Sequence, residues 1–276
     1  MTRRVALIGH PLRRRHSAVM HNAAFDHYEI DARYELRELA PMAVPSFVDE
    51  ARGDGWLGFQ VTAPYKQLVM EHLDEIEDDA RQIGAVNSVL RRDDGCLVGF
   101  NTDGPGFRQA LESELGLRPS GLCVCVGGAG GAARAVVYAL VAAGAHEVAV
   151  GNRTPARAVD LAREFGRTVR GMEIGAEFDA ALARADLAVN ATTVGMSQPG
   201  VAFPVEALPA TAAVYDLVYD PPESELLERA RARGLPAANG LGMLVAQAEI
   251  AFERWTGVPN AGTVMRRALE AQLPPA

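Results

Sequence analysis

The sequence predicts an α/β protein that contains two separate sheets. Short apolar segments alternate with helical segments over the N-terminal third of the chain, and the same alternation restarts after Leu117-Arg118-Pro119-Ser120-Gly121. Directly after this connection, an apolar strand from Leu122 to Val126 runs through a glycine-rich turn into an alanine-rich helix, Gly131–Ala143. Such alternation indicates sheets covered by helices. We therefore predict an N-terminal open α/β domain followed by a doubly wound, Rossmann-like domain.

The first domain, residues 1–103, is predicted from apolar periodicity and turn signals. Its expected elements are strands at Val5–Ile8, Arg33–Arg37 and Leu57–Val61, helices at Ser17–Tyr28 and Val44–Arg52, and a hairpin of Ala85–Arg91 and Cys96–Phe100 across Asp93-Asp94-Gly95.

The second domain, residues 104–238, has the strand count and rhythm of a doubly wound sheet. Its strands are expected near Leu122, Glu147, Thr168, Leu187, Ala213 and Leu235, with helices between most of them. Helical periodicity then predicts two further helices, Met243–Trp255 and Thr263–Leu273, within residues 239–276. We expect this last segment to return to the first domain.

The composition excludes several classes of protein. Hydrophobic residues make up 49% and charged residues 22%, as in an ordinary globular protein. A net charge of −8 without any Lys/Arg-rich block argues against a nucleic-acid partner. The absence of a long apolar stretch argues against a membrane partner, and the early strand leaves no room for a signal peptide. Three cysteines without ligand spacing predict no metal site and fit a reducing, cytoplasmic location.

The glycine-rich turn predicts a dinucleotide site. It reads G-x-G-x-x-A between a strand and a helix, which allows a tight turn and the approach of a pyrophosphate to the helix N-terminus. The candidate cofactor-binding residues of this turn are Gly128, Ala129, Gly130, Gly131 and Ala132.

The end of the next strand predicts which dinucleotide binds. Enzymes that use NAD carry an Asp or Glu there for the ribose 2′-hydroxyl, whereas this chain has Asn152, Arg153 and Thr154, with Arg157 close behind. A guanidinium binds a 2′-phosphate that a carboxylate would repel, so the predicted cofactor is NADP. The alternative is that both arginines are solvated charges at the start of a helix that begins at Pro155.

Polar side chains follow the predicted strands of the first domain. Thr62 and Lys66 flank Pro64 after one strand, Asn87 ends Gly84-Ala85-Val86-Asn87, and Asp103 follows another strand. A hydroxyl, an ammonium, an amide and a carboxylate at one sheet edge would suit a polyol or a hydroxy acid. The alternative is that Lys66 and Asp103 are ordinary surface charges, which contribute little even when paired.

These residues belong to a set of motifs that resembles the shikimate dehydrogenase family over nearly the whole chain. The motifs are Gly9-His10-Pro11, Met20-His21-Asn22-Ala23-Ala24-Phe25, Val61-Thr62-Ala63-Pro64-Tyr65-Lys66, Gly84-Ala85-Val86-Asn87, Asn101-Thr102-Asp103-Gly104, Asn152-Arg153-Thr154, Asn190-Ala191-Thr192 and 240–247, which ends at Gln247. The resemblance implies reversible hydride transfer between NADP and the ring hydroxyl of shikimate, which gives 3-dehydroshikimate. This reaction is a step of aromatic amino acid biosynthesis. The expected partner is thus a small anionic cyclic alcohol, bound by a monomer or a homodimer.

By this resemblance, Lys66 and Asp103 form the catalytic pair. Oxidation of an alcohol removes the hydroxyl proton as the hydride leaves, so an acid/base group must lie within hydrogen-bond reach. A free lysine, with a pKa of about 10.4, is a poor base at neutral pH. We expect Lys66 to transfer the proton and Asp103 to orient the same hydroxyl.

The resemblance also implies the remaining site residues. Thr62, Asn87 and Gln247 match positions that bind ring hydroxyls, and Tyr219 matches a tyrosine near the substrate carboxylate. The matches to positions that line the nicotinamide half are Thr192, Leu217 and Gly240. Packing at a domain interface is the alternative for Tyr219 and Gln247.

The chain departs from the family pattern in the carboxylate-binding loop. Ser17 matches the second of two serines, but Arg15 replaces the first, Ala18 replaces a proline, and Gln60 stands where an asparagine is usual. Arg15 could bind the carboxylate directly. It could instead redirect the pocket toward quinate, an aminated shikimate analogue or another anionic cyclic alcohol, or it could point to solvent with Arg13 and Arg14. A non-catalytic NADP-sensing protein is the rival from another class, and the retained pair Lys66 and Asp103 argues against it.

Overall fold

The computed structural model describes residues 2–12 and 15–272 and divides the chain into two compact units. Of the described residues, the first unit holds those up to Asp103 and again those from Val245 to Gln272, and the second unit holds Gly104–Leu244. Each unit is built on a six-stranded sheet.

The sheet of the first unit is mixed and has the strand order β2-β1-β3-β5-β6-β4. Strand β1 is parallel to β2 and β3, whereas β5 is antiparallel to both β3 and β6. The elements before the second unit are β1 (Arg3–Gly9), α1 (His16–His27), β2 (Ala32–Glu38), α2 (Val44–Glu50), β3 (Trp56–Val61), β4 (Glu75–Ile76), α3 (Asp78–Ile83), β5 (Ser88–Arg91) and β6 (Leu97–Phe100). Short 3₁₀ turns, Pro41–Ala43 and Leu68–His72, lie between them.

The sheet of the second unit is entirely parallel, with the order β12-β11-β10-β7-β8-β9. Counted within the unit, this is the 3-2-1-4-5-6 order of the doubly wound nucleotide-binding fold. Its elements are α4 (Asp103–Leu115), β7 (Cys123–Gly127), α5 (Gly131–Ala142), β8 (Glu147–Asn152), α6 (Pro155–Phe165), β9 (Val169–Glu173), α7 (Ala176–Leu182), β10 (Leu187–Asn190), a 3₁₀ turn at Val205–Ala207, β11 (Ala213–Asp216), α8 (Glu225–Ala232) and β12 (Ala237–Ala238). The chain then forms α9 (Leu241–Thr256) and α10 (Gly262–Glu270).

Two apolar cores cover the faces of this parallel sheet. Strand β7 shows why, because its side chains alternate between them: Val124 and Val126 lie in one core and Cys125 lies in the other. The first core contains Phe107 of α4 together with side chains of α5 and α6, and the second contains Phe178 of α7 together with side chains of α8. Burial on both faces explains why the strands read as nearly continuous apolar runs.

The first unit packs helices on its own sheet in the same way. Phe47 of α2 meets Trp56 and Phe59 of β3 edge-on, at ring-centroid distances of 5.5 and 5.2 Å. Helices α1 and α10 contact each other, and Phe25 of α1 lies 5.2 Å from Phe252 of α9. None of the helices in the described residues is long and apolar enough to cross a bilayer.

The predicted α/β class is confirmed, and the differences lie in short elements. The predicted strand Ala85–Arg91 begins only at Ser88, because Asn101 donates to the carbonyl of Ala85 and Val86 N–H bonds to Lys66. Strand β4 and helix α3 were not predicted, since neither is long enough to show a period. The helix predicted to end at Leu273 reaches Glu270, and Leu273 lies outside the described residues.

Candidate functional site

Three strands bring the polar side chains of the first unit to one edge of its sheet. Lys66 follows the end of β3, Asn87 immediately precedes β5, and Asp103 follows β6. Because β5 is antiparallel to β3 and β6, its beginning lies beside their ends. The polar groups are thus neighbours although they are up to 37 positions apart in the sequence.

Lys66 and Asp103 form a close ion pair in this cluster. Lys66 Nζ donates to Asp103 Oδ2 at 2.6 Å, and the two side chains are only 17% and 10% exposed. Asn87 Nδ2 donates to the other carboxylate oxygen, Oδ1, at 2.8 Å. The Asp103 carboxylate therefore accepts a hydrogen bond at each oxygen, one from the Lys66 ammonium and one from the Asn87 amide.

Lys66 is unusual in this chain because it is a lysine, a fact that the combined count of lysine and arginine does not show. Among the 27 basic residues of the chain, Lys66 is the single lysine, and the other 26 are arginines. A guanidinium keeps its proton at any working pH, whereas an amine can release one. The use of lysine at this one position, with arginine at all the other Lys/Arg positions, favours proton transfer as the role of Lys66. The sequence alone was enough to show this.

A second set of hydrogen bonds joins Gln247 of α9 to the same sheet edge. Gln247 Oε1 accepts from Gln60 Nε2 at 3.0 Å and from Thr102 Oγ1 at 3.4 Å. Thr102 Oγ1 in turn accepts from Asn87 Nδ2 at 2.9 Å. The structure therefore brings Gln247 together with Asn87 through Thr102, whose role no sequence pattern indicated.

The other residues predicted to bind substrate lie in separate segments of the two units. Thr62 is half-buried directly after β3, and Ser17 is half-buried in the first turn of α1. Arg15 precedes α1, is exposed, and has no carboxylate of a described residue within ion-pair range. Arg13 and Arg14, which one of the three alternatives for Arg15 placed in solvent beside it, lie outside the described residues. Tyr219 is half-buried in the second unit.

A buried aromatic cluster lies behind Ser17. The ring of His21 stacks on Tyr34 with centroids 4.6 Å apart and packs against Trp255 at 5.3 Å. Ser17 hydrogen-bonds Tyr34, and burial raises the pKa of the Tyr34 phenol despite that bond. Burial also lowers the pKa of His21 to about 3, against an opposing interaction with Gln60.

This buried histidine makes the stability of the protein depend on pH. The folded state keeps His21 neutral, whereas the unfolded chain binds a proton below a pKa of about 6.5. The unfolded state then holds more protons, so acid favours unfolding, and the loss from pH 7 to pH 5 should be about 2 kcal/mol. We expect His21→Phe to show a smaller loss, measured by urea unfolding at both pH values. His146→Phe, at an exposed position, should keep the loss of the unaltered protein, and an equal loss in His21→Phe would contradict the assignment.

The second unit presents the glycine-rich turn between β7 and α5. Gly128 has φ +112°, and a Cβ there would lie 2.8 Å from the carbonyl oxygen of Ala191, so this position requires glycine. Gly130 is the N-cap of α5 in an ordinary extended conformation, with φ −92°, and a Cβ there would meet nothing within 4 Å. The turn therefore leaves open space in front of the α5 N-terminus, where a pyrophosphate would fit.

The end of β8 carries two arginines without ion-pair partners in the described part of the chain. Arg153 and Arg157 are both exposed, and Asn152 shapes the turn by donating from Nδ2 to the carbonyl of Thr154 at 2.9 Å. Elsewhere in this unit, Arg134 pairs with Glu164, and Arg170 lies 3.3 Å from Glu147. Two unpaired guanidinium groups beside a strand end without any carboxylate fit a 2′-phosphate.

Thr192 is held by a buried polar network that sequence reasoning missed. Asn190 Oδ1 accepts from both the N–H and the hydroxyl of Thr192, at 2.9 and 2.7 Å. Asn190 Nδ2 donates to Asp216 Oδ1 at 2.8 Å, and Ser224 Oγ donates to Asp216 Oδ2 at 2.5 Å. Burial raises the pKa of Asp216, against these hydrogen bonds. Asn190 was visible only as part of a motif, and nothing in the pattern marked Asp216.

The remaining predicted nicotinamide positions lie against each other. Gly240 N–H bonds to the carbonyl of Val218 at 3.0 Å, and a Cβ on Gly240 would lie 2.2 Å from the carbonyl oxygen of Leu217. Leu217 N–H donates to the backbone carbonyl of Asn190 at 2.9 Å. Thr192, Leu217 and Gly240 are thus gathered with Gly128 at the carboxyl edge of the sheet, where doubly wound folds bind ligands.

Comparison with known proteins identifies relatives of the whole chain. The family described as "Shikimate dehydrogenase substrate binding domain" matches residues 7–89, "Shikimate / quinate 5-dehydrogenase" matches 112–197, and "Shikimate 5'-dehydrogenase C-terminal domain" matches 240–270. A shikimate dehydrogenase (NADP(+)) of Citrifermentans bemidjiense is 41% identical over 99% of this chain and 96% of its own length.

Solved structures agree with these matches. The shikimate 5-dehydrogenase of Thermus thermophilus, in complex with NADP(H) and shikimate, has a TM-score of 0.88 at 39% identity and covers 98% of this chain and 100% of its own. Quinate dehydrogenase from Corynebacterium glutamicum, in complex with NAD, has a TM-score of 0.90 at 35% identity, covering 98% and 99%.

The fold and the site define an α/β oxidoreductase that uses a dinucleotide cofactor. The family to which the chain belongs follows from the relatives that match it over nearly its full length. The chain belongs to the shikimate dehydrogenase family.

Proposed function

We propose that this protein catalyses the reversible, NADP-dependent oxidation of shikimate to 3-dehydroshikimate. The observation that carries the proposal is the Lys66–Asp103 pair, 2.6 Å apart and held by Asn87, on a sheet edge that carries further hydroxyl and amide groups. The Thermus thermophilus relative, solved with NADP(H) and shikimate, supports this substrate and this cofactor.

In the proposed mechanism, Lys66 transfers the proton, and Asp103 holds the Lys66 side chain in position. Bound NADP supplies hydride acceptance in the oxidation and hydride donation in the reverse reaction. As the substrate hydroxyl is oxidised, Lys66 Nζ takes its proton, and as the ketone is reduced, the ammonium returns that proton to the carbonyl oxygen. Asp103 holds Lys66 through Oδ2 and accepts from Asn87 through Oδ1, so the amine and the substrate oxygen stay in register.

Thr62, Asn87 and Gln247 are proposed to bind the ring hydroxyls. Arg15, Ser17 and Tyr219 are proposed to bind the carboxylate, and the exposed, unpaired state of Arg15 among the described residues supports a role for its guanidinium.

The proposed cofactor site is formed by the turn and two neighbouring strand ends. The proposed residues are Gly128, Ala129, Gly130, Gly131 and Ala132 for the pyrophosphate, Asn152, Arg153, Thr154 and Arg157 for the adenosine 2′-phosphate, and Thr192, Leu217 and Gly240 for the nicotinamide half. Open space at Gly130 supports the first group, and the unpaired arginines support the second.

The function is tested by the rate of cofactor reduction with shikimate and with quinate, each offered with NADP⁺ and with NAD⁺. We expect turnover of shikimate with NADP⁺ to exceed the other three combinations. Turnover of quinate but not of shikimate would contradict the proposed substrate.

Arg153 is expected to select the cofactor. In Arg153→Ala, the KM for NADP⁺ should rise about tenfold or more because a charge-assisted bond to the 2′-phosphate is lost, whereas the KM for NAD⁺ should change little. Steady-state kinetics with both cofactors measures the difference. Arg163→Ala, at an exposed position of α6 paired with Asp160, is the matched control. Equal losses for NADP⁺ and NAD⁺ in Arg153→Ala would show that Arg153 does not meet the phosphate.

We further propose a cytoplasmic location for the protein. Cys96, Cys123 and Cys125 are free thiols, as in a reducing compartment, and burial raises the pKa of the Cys125 thiol to about 12, which leaves it inert.

A further inference from the structure

A fully buried carboxylate, that of Asp216, adjoins the residues proposed for the nicotinamide half of the cofactor. Asp216 is the last residue of β11, and Leu217 follows it in the chain. Asp216 Oδ1 accepts from the N–H of Val218 at 3.0 Å, and the carbonyl of Val218 accepts from the N–H of Gly240. The carboxylate is therefore linked to two of the three proposed positions, Leu217 and Gly240.

The same carboxylate is linked to Thr192, the third of these positions. Asn190 Nδ2 donates to Asp216 Oδ1 at 2.8 Å, and Asn190 Oδ1 accepts from the hydroxyl of Thr192 at 2.7 Å. Asn190 and Asp216 lie opposite each other at the carboxyl ends of the paired strands β10 and β11. One buried side chain thus supports, directly or through one neighbour, every residue proposed to line the nicotinamide half.

The hydrogen bonds around Asp216 are those of an ionised carboxylate. The N–H of Val218 and Nδ2 of Asn190 can only donate, and both meet Oδ1. Ser224 Oγ lies 2.5 Å from Oδ2, a distance typical of O–H···O⁻ bonds. If Oδ2 held a proton and donated it to Ser224, the hydroxyl proton of Ser224 would have no acceptor among the described residues. Burial raises the pKa of Asp216, but only the ionised form leaves each of these buried groups with a partner.

The charge of Asp216 has no cation beside it in the described part of the chain. Its three hydrogen-bond partners are neutral, and no arginine, lysine or histidine there forms an ion pair with it. Ser224 is the N-cap of α8 and brings only the weakly positive end of a helix toward Oδ2. The other buried aspartate of the described residues, Asp103, is paired with Lys66. A buried charge without an ionic partner costs free energy, and a cation bound nearby would reduce that cost.

We propose that Asp216 is a specificity-determining residue that makes the cofactor site favour the oxidised form, NADP⁺, relative to NADPH. The nicotinamide ring is positively charged in NADP⁺ and neutral in NADPH, so a buried negative charge next to the proposed ring position attracts the oxidised form alone. Because the carboxylate is buried, salt in the solvent screens this attraction little. The inference rests on the proposed function and deepens it, since it assigns a redox preference to the proposed cofactor site.

Asp216→Asn tests the proposal because it removes the charge and keeps the shape. Its Oδ1 would accept from Val218 and Asn190 as before, and its Nδ2 would donate to Ser224 Oγ. We expect the Kd for NADP⁺ to rise about tenfold and the Kd for NADPH to change by less than about twofold, since only the oxidised ring is charged. Fluorescence titration measures binding of NADPH, and displacement of NADPH by NADP⁺ measures the other constant, both without substrate.

Asp186→Asn is the matched control. Asp186 is exposed and directly precedes β10, so this variant removes the same charge from the opposite edge of the same sheet. Both dissociation constants should stay unchanged in it. An equal rise of both constants in Asp216→Asn would overturn the proposal, because it would show that Asp216 only maintains the shape of the site.

Asp216→Ser serves if Asp216→Asn does not fold. Serine keeps an oxygen acceptor on the side chain and carries no charge. We expect the ratio of the Kd for NADP⁺ to the Kd for NADPH to rise about tenfold here as well. A ratio equal to that of the unaltered protein would overturn the role of Asp216.

Measurements on the unaltered protein separate this proposal from the proposed function. If the unaltered protein binds both forms of the cofactor but does not oxidise shikimate, the proposed substrate is overturned, and the ratio in Asp216→Asn still decides the role of Asp216. If the unaltered protein binds neither form, both proposals are overturned. If it oxidises shikimate and the ratio is the same in Asp216→Asn, the role of Asp216 alone is overturned.

Discussion

Replacement of Lys66 with alanine is expected to lower the turnover number by about 10²–10⁴, with binding of NADPH intact. The reason is that the variant removes the only ionisable side chain that bonds Asp103 among the described residues, and with it the group that we propose exchanges a proton with the substrate oxygen. Turnover with shikimate measures the first effect, and fluorescence titration with NADPH measures the second. Unchanged turnover would remove Lys66 from the mechanism.

Lys66→Arg is the matched control for this experiment. Arginine preserves the positive charge beside Asp103 but does not release its proton at a working pH. We expect this variant to be nearly as slow as Lys66→Ala. Recovery of most of the activity would instead show that a fixed positive charge is sufficient and that the proton travels by another route.

The second large effect is expected at Gly130, where stability and cofactor binding should move in opposite directions. Gly130 is the N-cap of α5 and offers no side-chain cap, so Gly130→Asp should retain or slightly raise the free energy of unfolding. The same carboxylate would lie in the open space in front of the helix and repel the pyrophosphate. We expect the affinity for NADPH to fall about 100-fold or more, measured by titration, with urea unfolding on the same samples.

Gly175→Asp is the control for Gly130→Asp. Gly175 is also a helix N-cap with nothing near a Cβ, but it belongs to α7 and not to the glycine-rich turn. NADPH affinity should be unchanged there. A similar loss of affinity in both variants would mean that net charge, and not the turn, controls binding.

The fold class could be predicted because it depends on local patterns. The strand–turn–helix at Leu122 to Ala143, with glycine where φ is positive, specifies a doubly wound unit without any knowledge of distant contacts. Strand β4 could not be predicted in this way, since two residues joined to β6 have no periodicity of their own.

The candidate site was predictable as single residues but not as a network. Lys66 and Asp103 follow predicted strands, and a sheet edge gathers such positions, whereas Asn87 fell inside the predicted strand Ala85–Arg91 and in the structure precedes β5. The bonds between Gln60 and Gln247, 187 positions apart, and between Asn190 and Asp216 depend on tertiary packing. Buried polar groups need hydrogen-bond partners, but this rule does not predict which residue will be the partner.

The solitary lysine has a consequence for chemistry carried out on this protein. Reagents that acylate or reductively alkylate primary amines have a single side-chain target in 276 residues, and that target is Nζ of Lys66, 17% exposed beside Asp103. If Lys66 acts as proposed, the fraction of turnover lost on labelling should equal the fraction of Lys66 that is labelled. Attachment of the protein to a support should use carboxyl or thiol chemistry, because a linkage to a lysine side chain would be made through Nζ of Lys66, the atom that we propose exchanges the proton.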